Sequence, residues 1–299
     1  MNFESARSFI YRNARPLDLA RWRYLFEGGD RELVLTALAA YQNGDGGFGH
    51  ALEADCWNPE SAPVQTWAAT QILREVGLDD AEHPIVQGIL RYLASGAAFD
   101  GHIWLGTLPS NDDHPHAPWW NYDPEQAWGY NPTASLIGFI LRCAKRESPL
   151  YALAVRLAEE AYAWFRAHAP LESMHTVACF VELYEDLQKC APGADLRAFE
   201  ALLRAQLQQV LTRDPDAWAR EYVCKPSLFI RDWESAFYAE NRALCELECA
   251  FIAQNQLADG SFRVTWDWGS YPEQWAISKN WWKCDLILKN ARFSRAMEG

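Results

Sequence analysis

The segment GHALEADCWNP (49–59) carries the most chemistry per residue in this chain. Glu53 and Asp55 are two carboxylates two positions apart, and Asn58 and a proline close the run. Paired carboxylates of this kind can give and take protons, provided the surroundings separate their tasks. The segment lies between a glycine-rich turn and a helix start, and helix starts favour negative charge. That keeps Asp55 ionised unless burial raises its pKa, and an acid catalyst needs the raised case. A second acidic pair, Asp112-Asp113, sits in the aromatic stretch 97–131. Asp55, Asp113 and Glu53 are the candidate catalytic residues. In a structural role, Asp55 and Asn58 would instead cap the next helix and order the loop.

Further candidates contact a ligand rather than react with it. Trp104, His116, Trp119, Trp120, Tyr130 and Asn131 fall in or beside the aromatic stretch, where indole and phenol faces can stack on a sugar or attract a cation. Asn131 would otherwise cap the helix after it. Arg231-Asp232 with Trp266, Trp268, Glu273 and Trp275 make a third cluster. His175 stands near the start of another helix, beside Glu172. No group of His, Cys and Asp has a recognised zinc spacing, so no metal or other cofactor is expected. Lys225, Arg231, Lys279 and Lys283 are the cations a diphosphate would need.

The composition narrows the partners. The formal net charge is −13 and the pI about 5.0. Such a surface repels phosphate backbones and anionic membranes, so a neutral, apolar or cationic small molecule is expected and nucleic acid is not. No run reaches the length of a membrane span, and the first residues, MNFESARSFIYRNARP, have no apolar signal core. The eight cysteines are scattered without a framework and read as reduced thiols in a cytoplasmic protein. Fifteen tryptophans suggest an aromatic-lined cavity, although packing between helices uses them equally well.

The elements that position these residues read as helices. Apolar residues recur at helical spacing over 30–42, 61–77, 83–96, 131–146, 148–169, 170–190, 194–211, 234–256 and 272–293, and no period-2 run stands out. Ser61 reads as a cap. No linker interrupts the chain, so residues 1–299 are expected to form one domain. Two similarities repeat. ALAAYQNGDGGFG (37–49) matches CAFIAQNQLADGSF (249–262), with Gln-Asn, Asp-Gly and an aromatic in the same order. Thr66, Thr133 and Thr176 each open the pattern T-x-[AS]-x4-[LI] at a helix start. Helical hairpins that cannot bury their apolar faces alone would do so by stacking into a ring.

Gln42-Asn43-Gly44-Asp45-Gly46-Gly47-Phe48, and Gln254 through Phe262, resemble the QW-type repeats of squalene-hopene cyclases and the related turns of protein prenyltransferase β subunits. The resemblance implies an all-α fold, an α/α toroid of about five to six helical hairpins around a central cavity. The segments HALEADCWNP, HPHAPWWNYDPEQAWGYNPTA, CKPSLFIRD and VTWDWGSYPEQW resemble a prokaryotic group of similar length across nearly the whole chain. The acid motif D-x-D-D and the magnesium motif D-D-x-x-D are both missing. Asp55 and Asp112-Asp113 are their nearest counterparts, and Cys284-Asp285 with His114/His116 are the nearest approach to a zinc set.

Three functions fit. The first is a cyclase-like protein that binds or transforms an apolar, isoprenoid small molecule, by acid-initiated cyclisation or isomerisation. The second is a carbohydrate-active enzyme, a polysaccharide lyase or glycosidase. The third is a ligand-binding scaffold without catalysis. For the first two, Glu53–Asn58 and His116–Asn131 are expected to converge on one cavity, because both precede helices of the same repeat.

Overall fold

The computed structural model describes residues 1–125 and 129–298. Residues 126–128, inside the aromatic segment His116–Asn131, lie outside the described residues. Among the described residues twelve α-helices follow one another: α1 Phe3–Asn13, α2 Pro16–Phe26, α3 Arg31–Ala39, α4 Pro63–Glu75, α5 Pro84–Ala94, α6 Thr133–Cys143, α7 Pro149–His168, α8 Met174–Cys190, α9 Arg197–Val210, α10 Pro215–Arg220, α11 Tyr238–Asn255 and α12 Pro272–Met297. Among the described residues there is no strand, only three isolated bridges. The fold class is all-α. None of these helices is long and apolar enough to cross a membrane.

Local chemistry explains most boundaries. Proline occupies the first turn of α2, α4, α5, α7, α10 and α12, where its missing N–H costs nothing. Ser148 and Ser173 cap α7 and α8 by accepting from Tyr151 N and Thr176 N. Ser173 therefore starts α8 four residues later than the periodicity suggests. Ser61 and Asn131 are not caps. Ala62 and Pro132 take those positions. The Ser61 hydroxyl donates to Asp45 Oδ1 at 2.7 Å instead.

The chain divides into two compact units, Ala39–Val210 and a discontinuous one made of Met1–Leu38 with Leu211–Gly299. In the first unit α6 is buried along almost its whole length between α7 and α8, and α4 packs on it as well. In the second, α12 packs against α1, α2 and α11. Its interior holds charge: Asp18 is fully buried and takes bonds from Arg15 Nε at 2.8 Å and Arg21 Nη1 at 3.1 Å. Arg21 also reaches Asp285 at 3.2 Å, and Lys289 pairs with Asp285 at 2.8 Å. Burial opposes ionisation of Asp285, but Lys289 and Arg21 outweigh it and hold its pKa down at about 2. A carboxylate whose folded pKa is depressed stabilises the fold above its unfolded pKa and loses that contribution as pH falls through the folded value. Acid titration from about pH 4 to about pH 2 should therefore remove about 2 kcal/mol that Asp285→Asn no longer shows. Equal acid limbs for both proteins in urea melts would refute this.

Each unit contains one copy of the repeated turn, and the two copies share their central hydrogen bonds. Gln42 Nε2 donates to Gly46 O at 3.0 Å, and Gln256 Nε2 donates to Gly260 O at 2.9 Å. Asp45 Oδ1 accepts from Gly47 N, and Asp259 Oδ1 from Ser261 N, both at 2.9 Å. Gly46 and Gly260 have φ of 97° and 92°. The second copy therefore begins at Gln256. The Gln254-Asn255 pair, which matches Gln42-Asn43 by eye, still belongs to α11. Each turn also seats on a helix start. Gln42 Nε2 donates to Ile85 O at 3.1 Å, and Gln256 Nε2 to Asn2 O at 3.0 Å. The N-terminal α1 thus holds the same place against the C-terminal turn that α5 holds against the first.

The threonines of the T-x-[AS] pattern have a related task. Thr66 Oγ1 accepts from Phe48 N at 3.1 Å, and Thr133 Oγ1 from Trp104 N at 2.9 Å. Phe48 and Trp104 each close an Asp-Gly turn, in which Asp45 and Asp100 accept from the residue two positions on. A buried N–H that would otherwise lose its water partner is thereby satisfied at the start of each helix.

Candidate functional site

The segment 53–58 and the aromatic loop lie side by side. Cys56 and His116 form an antiparallel bridge, Ala117 N donates to Asp55 O at 2.8 Å, and Trp57 N donates to Pro115 O at 2.9 Å. Glu53, Asp55, Asn58, His116 and Trp120 are all buried here. Several of their polar atoms bond within the loop and to α4. Asn58 Nδ2 reaches Ser110 Oγ at 2.9 Å and Asn111 Oδ1 at 3.0 Å, while its Oδ1 accepts from Glu60 N. Glu53 N donates to Gln65 Oε1 at 2.6 Å, and Glu53 Oε2 accepts from Asp55 N at 3.1 Å. Gln65 Nε2 donates to Cys56 O at 2.8 Å. His116 meets His114 O through Nδ1 at 2.6 Å. Its other nitrogen, Nε2, lies 2.8 Å from Asn121 Oδ1, so both ring nitrogens face oxygen acceptors. Burial pushes the Cys56 thiol up to about 12, so it stays protonated.

The remaining aromatic-loop residues part company. Asp113 and Trp119 are exposed. Trp104 is fully buried, with its ring 4.6 Å from Phe99. Tyr130 packs 5.1 Å from Trp164 and 5.6 Å from Phe180, and burial raises its pKa, helped by Glu160 and Asp100. Asn131 Oδ1 lies 3.6 Å from Cys179 Sγ, at the top of the α6/α8 seam. The other cluster belongs to the second unit. Trp268 and Trp275 are buried 5.5 Å apart, and Trp275 Nε1 donates to Asp267 Oδ2 at 2.6 Å. Trp266 is half-buried, edge-on to Tyr222 and Trp282. Arg231 is half-buried in the loop before α11.

The accessible chemistry of the first unit lies elsewhere on α4. One side of this helix turns Gln65 and Thr66 inward. Another leaves Trp67, Ala68, Gln71, Arg74 and Glu75 half-buried. On α8, His175, Ala178 and Glu185 are half-buried at helical spacing, and Glu182 stands at the edge of that face. Side chains join the two strips. Gln71 Nε2 donates to Glu182 Oε2 at 2.9 Å, and the Ser135 hydroxyl of α6 donates to the same oxygen. Arg74 Nη2 donates to Asp186 Oδ2 at 2.6 Å and lies 3.7 Å from Glu185. Arg142 of α6 approaches Asp186 at 3.8 Å and pairs with Asp79 at 3.1 Å. Burial works against the Arg74 charge, yet Asp186, Glu182 and Glu185 raise its pKa further.

Asn131, Ser135, Gly138 and Arg142 follow one another along one face of α6, opposite Cys179, Glu182 and Asp186. Gly138 is small because Asp186 needs the space: a Cβ there would lie 2.6 Å from Asp186 Oδ2. Of the residues named from sequence, only Asn131 and His175 belong to this seam and strip. Gln71, Arg74, Ser135, Glu182 and Asp186 went unnoticed there. The available signal was the polar i, i+3 or i+4 pairs Gln71/Arg74 and Glu182/Asp186 inside otherwise apolar helices.

Chemically, Glu182 is a buried carboxylate held by two donors, Gln71 of α4 and Ser135 of α6. Among the described residues, no group of three His, Cys, Asp or Glu stands together as a metal site. Comparison with family models, with curated proteins and with solved structures finds no match to the chain.

Proposed function

We propose that the chain is an α/α-toroid protein that binds and transforms a small, neutral, largely apolar molecule with one hydroxyl-type group. An isoprenoid alcohol is the class that fits, and Glu182 is the acid–base group. The observation that carries this reading is the placement of Glu182, fixed by Gln71 and Ser135 yet at the edge of the half-buried α4/α8 face. Trp67, Ala68 and Ala178 give that face an apolar body, while Gln71, His175 and Glu182 give it a polar end. The net charge of −13 disfavours anionic ligands such as a free diphosphate. Two turns seated alike, on α5 and on α1, support the toroid reading through their repeat geometry. A cytoplasmic setting belongs to the same proposal and rests on the scattered cysteines.

In this reading the buried loop of Glu53, Asp55, Asn58 and His116 orders the entry to α4, and Trp120 packs over it. The test is calorimetric titration with farnesol, and separately with cellobiose. Farnesol should bind, and Glu182→Gln should weaken it about tenfold or more, the loss expected for a hydrogen bond to a charged group. Binding of cellobiose alone would replace this reading with the carbohydrate one. Binding of neither, or farnesol affinity indifferent to Glu182→Gln, would overturn it.

A further inference from the structure

In the discontinuous unit, the short 3₁₀ turn Pro226–Leu228 packs against α11 and α12. Ser227 uses it to grip a carboxylate. Its N–H donates to Glu248 Oε2 at 2.8 Å and its hydroxyl to Oε1 at 2.6 Å. Glu248 is wholly buried on α11. Lys225 immediately precedes the turn and is half-buried. Its Nζ lies 5.5 Å from the centre of the Phe251 ring, about one helical turn beyond Glu248. Among the described residues this amine has no hydrogen-bond or ion-pair partner, and the Glu248 oxygens bond to Ser227 instead.

Three of the other lysines are ion-paired. Lys145 pairs with Glu82 at 2.9 Å, Lys289 with Asp285 at 2.8 Å, and Lys283 lies 4.0 Å from Asp259. Lys279 lies 5.6 Å from the Trp275 ring centre, and Lys189 is exposed. A paired or hydrated ammonium keeps its proton. A desolvated, unpaired one gives it up more readily, and its lone pair becomes a nucleophile. Burial lowers the pKa of Lys225, with the Glu248 charge pulling the other way. The nearby thiols do not compete, since burial pushes Cys224 and Cys245 up to about 12.

The geometry points to Lys225 as a nucleophilic amine that condenses with an aldehyde, most readily an aromatic one that can stack on Phe251. The amine lone pair attacks the carbonyl carbon and forms the C–N bond. The carbonyl oxygen takes up a proton, and the nitrogen loses one, giving a carbinolamine. The hydroxyl then leaves as water and the remaining N–H proton is lost, so amine and aldehyde become imine and water. This site uses no residue of the α4/α8 face, and its test is independent of that reading.

The experiment treats the full chain with benzaldehyde and sodium cyanoborohydride at pH 7 and maps benzylated lysines by mass spectrometry. The hydride reduces the imine to a stable secondary amine. Lys225 should be modified about tenfold or more faster than the exposed Lys189, because its amine is desolvated and unpaired. Lys225→Arg should abolish the fast adduct and leave the other five lysines unchanged. Phe251→Ala should reduce the preference for Lys225. Modification of Lys225 at or below the rate of Lys189 in the unaltered protein would overturn the proposal, whatever the variants do.

Discussion

Gly260→Ala should destabilise the protein by about 3 kcal/mol or more, through two independent costs. Gly260 has a φ of 92°, a region an L side chain rarely enters. A Cβ at this position would also lie 2.1 Å from Ser5 O and 2.4 Å from Ser5 C, in the backbone of α1. Neither atom can move aside without lifting the turn from the helix, which breaks the bonds between Gln256 and Asn2 at 2.6 and 3.0 Å. Gly269→Ala is the matched control. Gly269 has a φ of 67° but no atom within 4 Å of its Cβ position, so only the conformational cost of about 1 kcal/mol is expected. Urea unfolding of both variants separates the terms. Equal midpoints would show that the turn does not bear on α1.

The second large effect is expected at Asp186. Removing its carboxylate leaves Arg74 and Arg142 facing one another in a buried seam, with side chains only 9% and 7% exposed. Breaking a buried pair by deleting one partner costs about 3–5 kcal/mol; the charge left poorest here is Arg74, which keeps only Glu185 at 3.7 Å, while Arg142 keeps Asp79 at 3.1 Å. Asp186→Ala should therefore lose that much in urea unfolding. Arg74→Met in the same background should recover part of the loss, since the double change also removes a stranded charge. Failure of the second substitution to help would assign the cost to packing rather than charge. Gly138→Ala should injure the same point from the other side, by crowding Asp186.

These two sites also show what a reader of the sequence can and cannot see. The long helices were legible because their apolar spacing is regular and their starts carry proline or serine. Helices α1 and α2 were not, because α2 buries Asp18 and Arg21, and an ion pair in the core breaks the apolar pattern. The repeated turn was legible as chemistry, but its second register was not. Gln254-Asn255 imitates the first copy, and only the bond from Gln256 to Gly260 O tells the glutamines apart. Of the expected convergence of Glu53–Asn58 and His116–Asn131 on one cavity, the backbone bonds show only that Asp55, Cys56 and Trp57 adjoin residues 115–117. The polar seam was hidden because its members span Gln71 to Asp186 and come in pairs from three separate helices, α4, α6 and α8.

The seat of the C-terminal turn on α1 sets an order of events during synthesis. Asn2 waits for Gln256, a partner 254 positions later in the chain. Residues 39–210, which form one compact unit, are all made before Gln256 is. Helix α1, by contrast, has left the exit tunnel with its apolar side, Ala6, Phe9 and Ile10, uncovered. Contacts between such distant positions form late and leave their surfaces open meanwhile. For this protein the vulnerable species is a nascent chain with its first helix unsheltered. A chaperone that holds the earliest residues until α12 arrives would protect it better than one that acts after release.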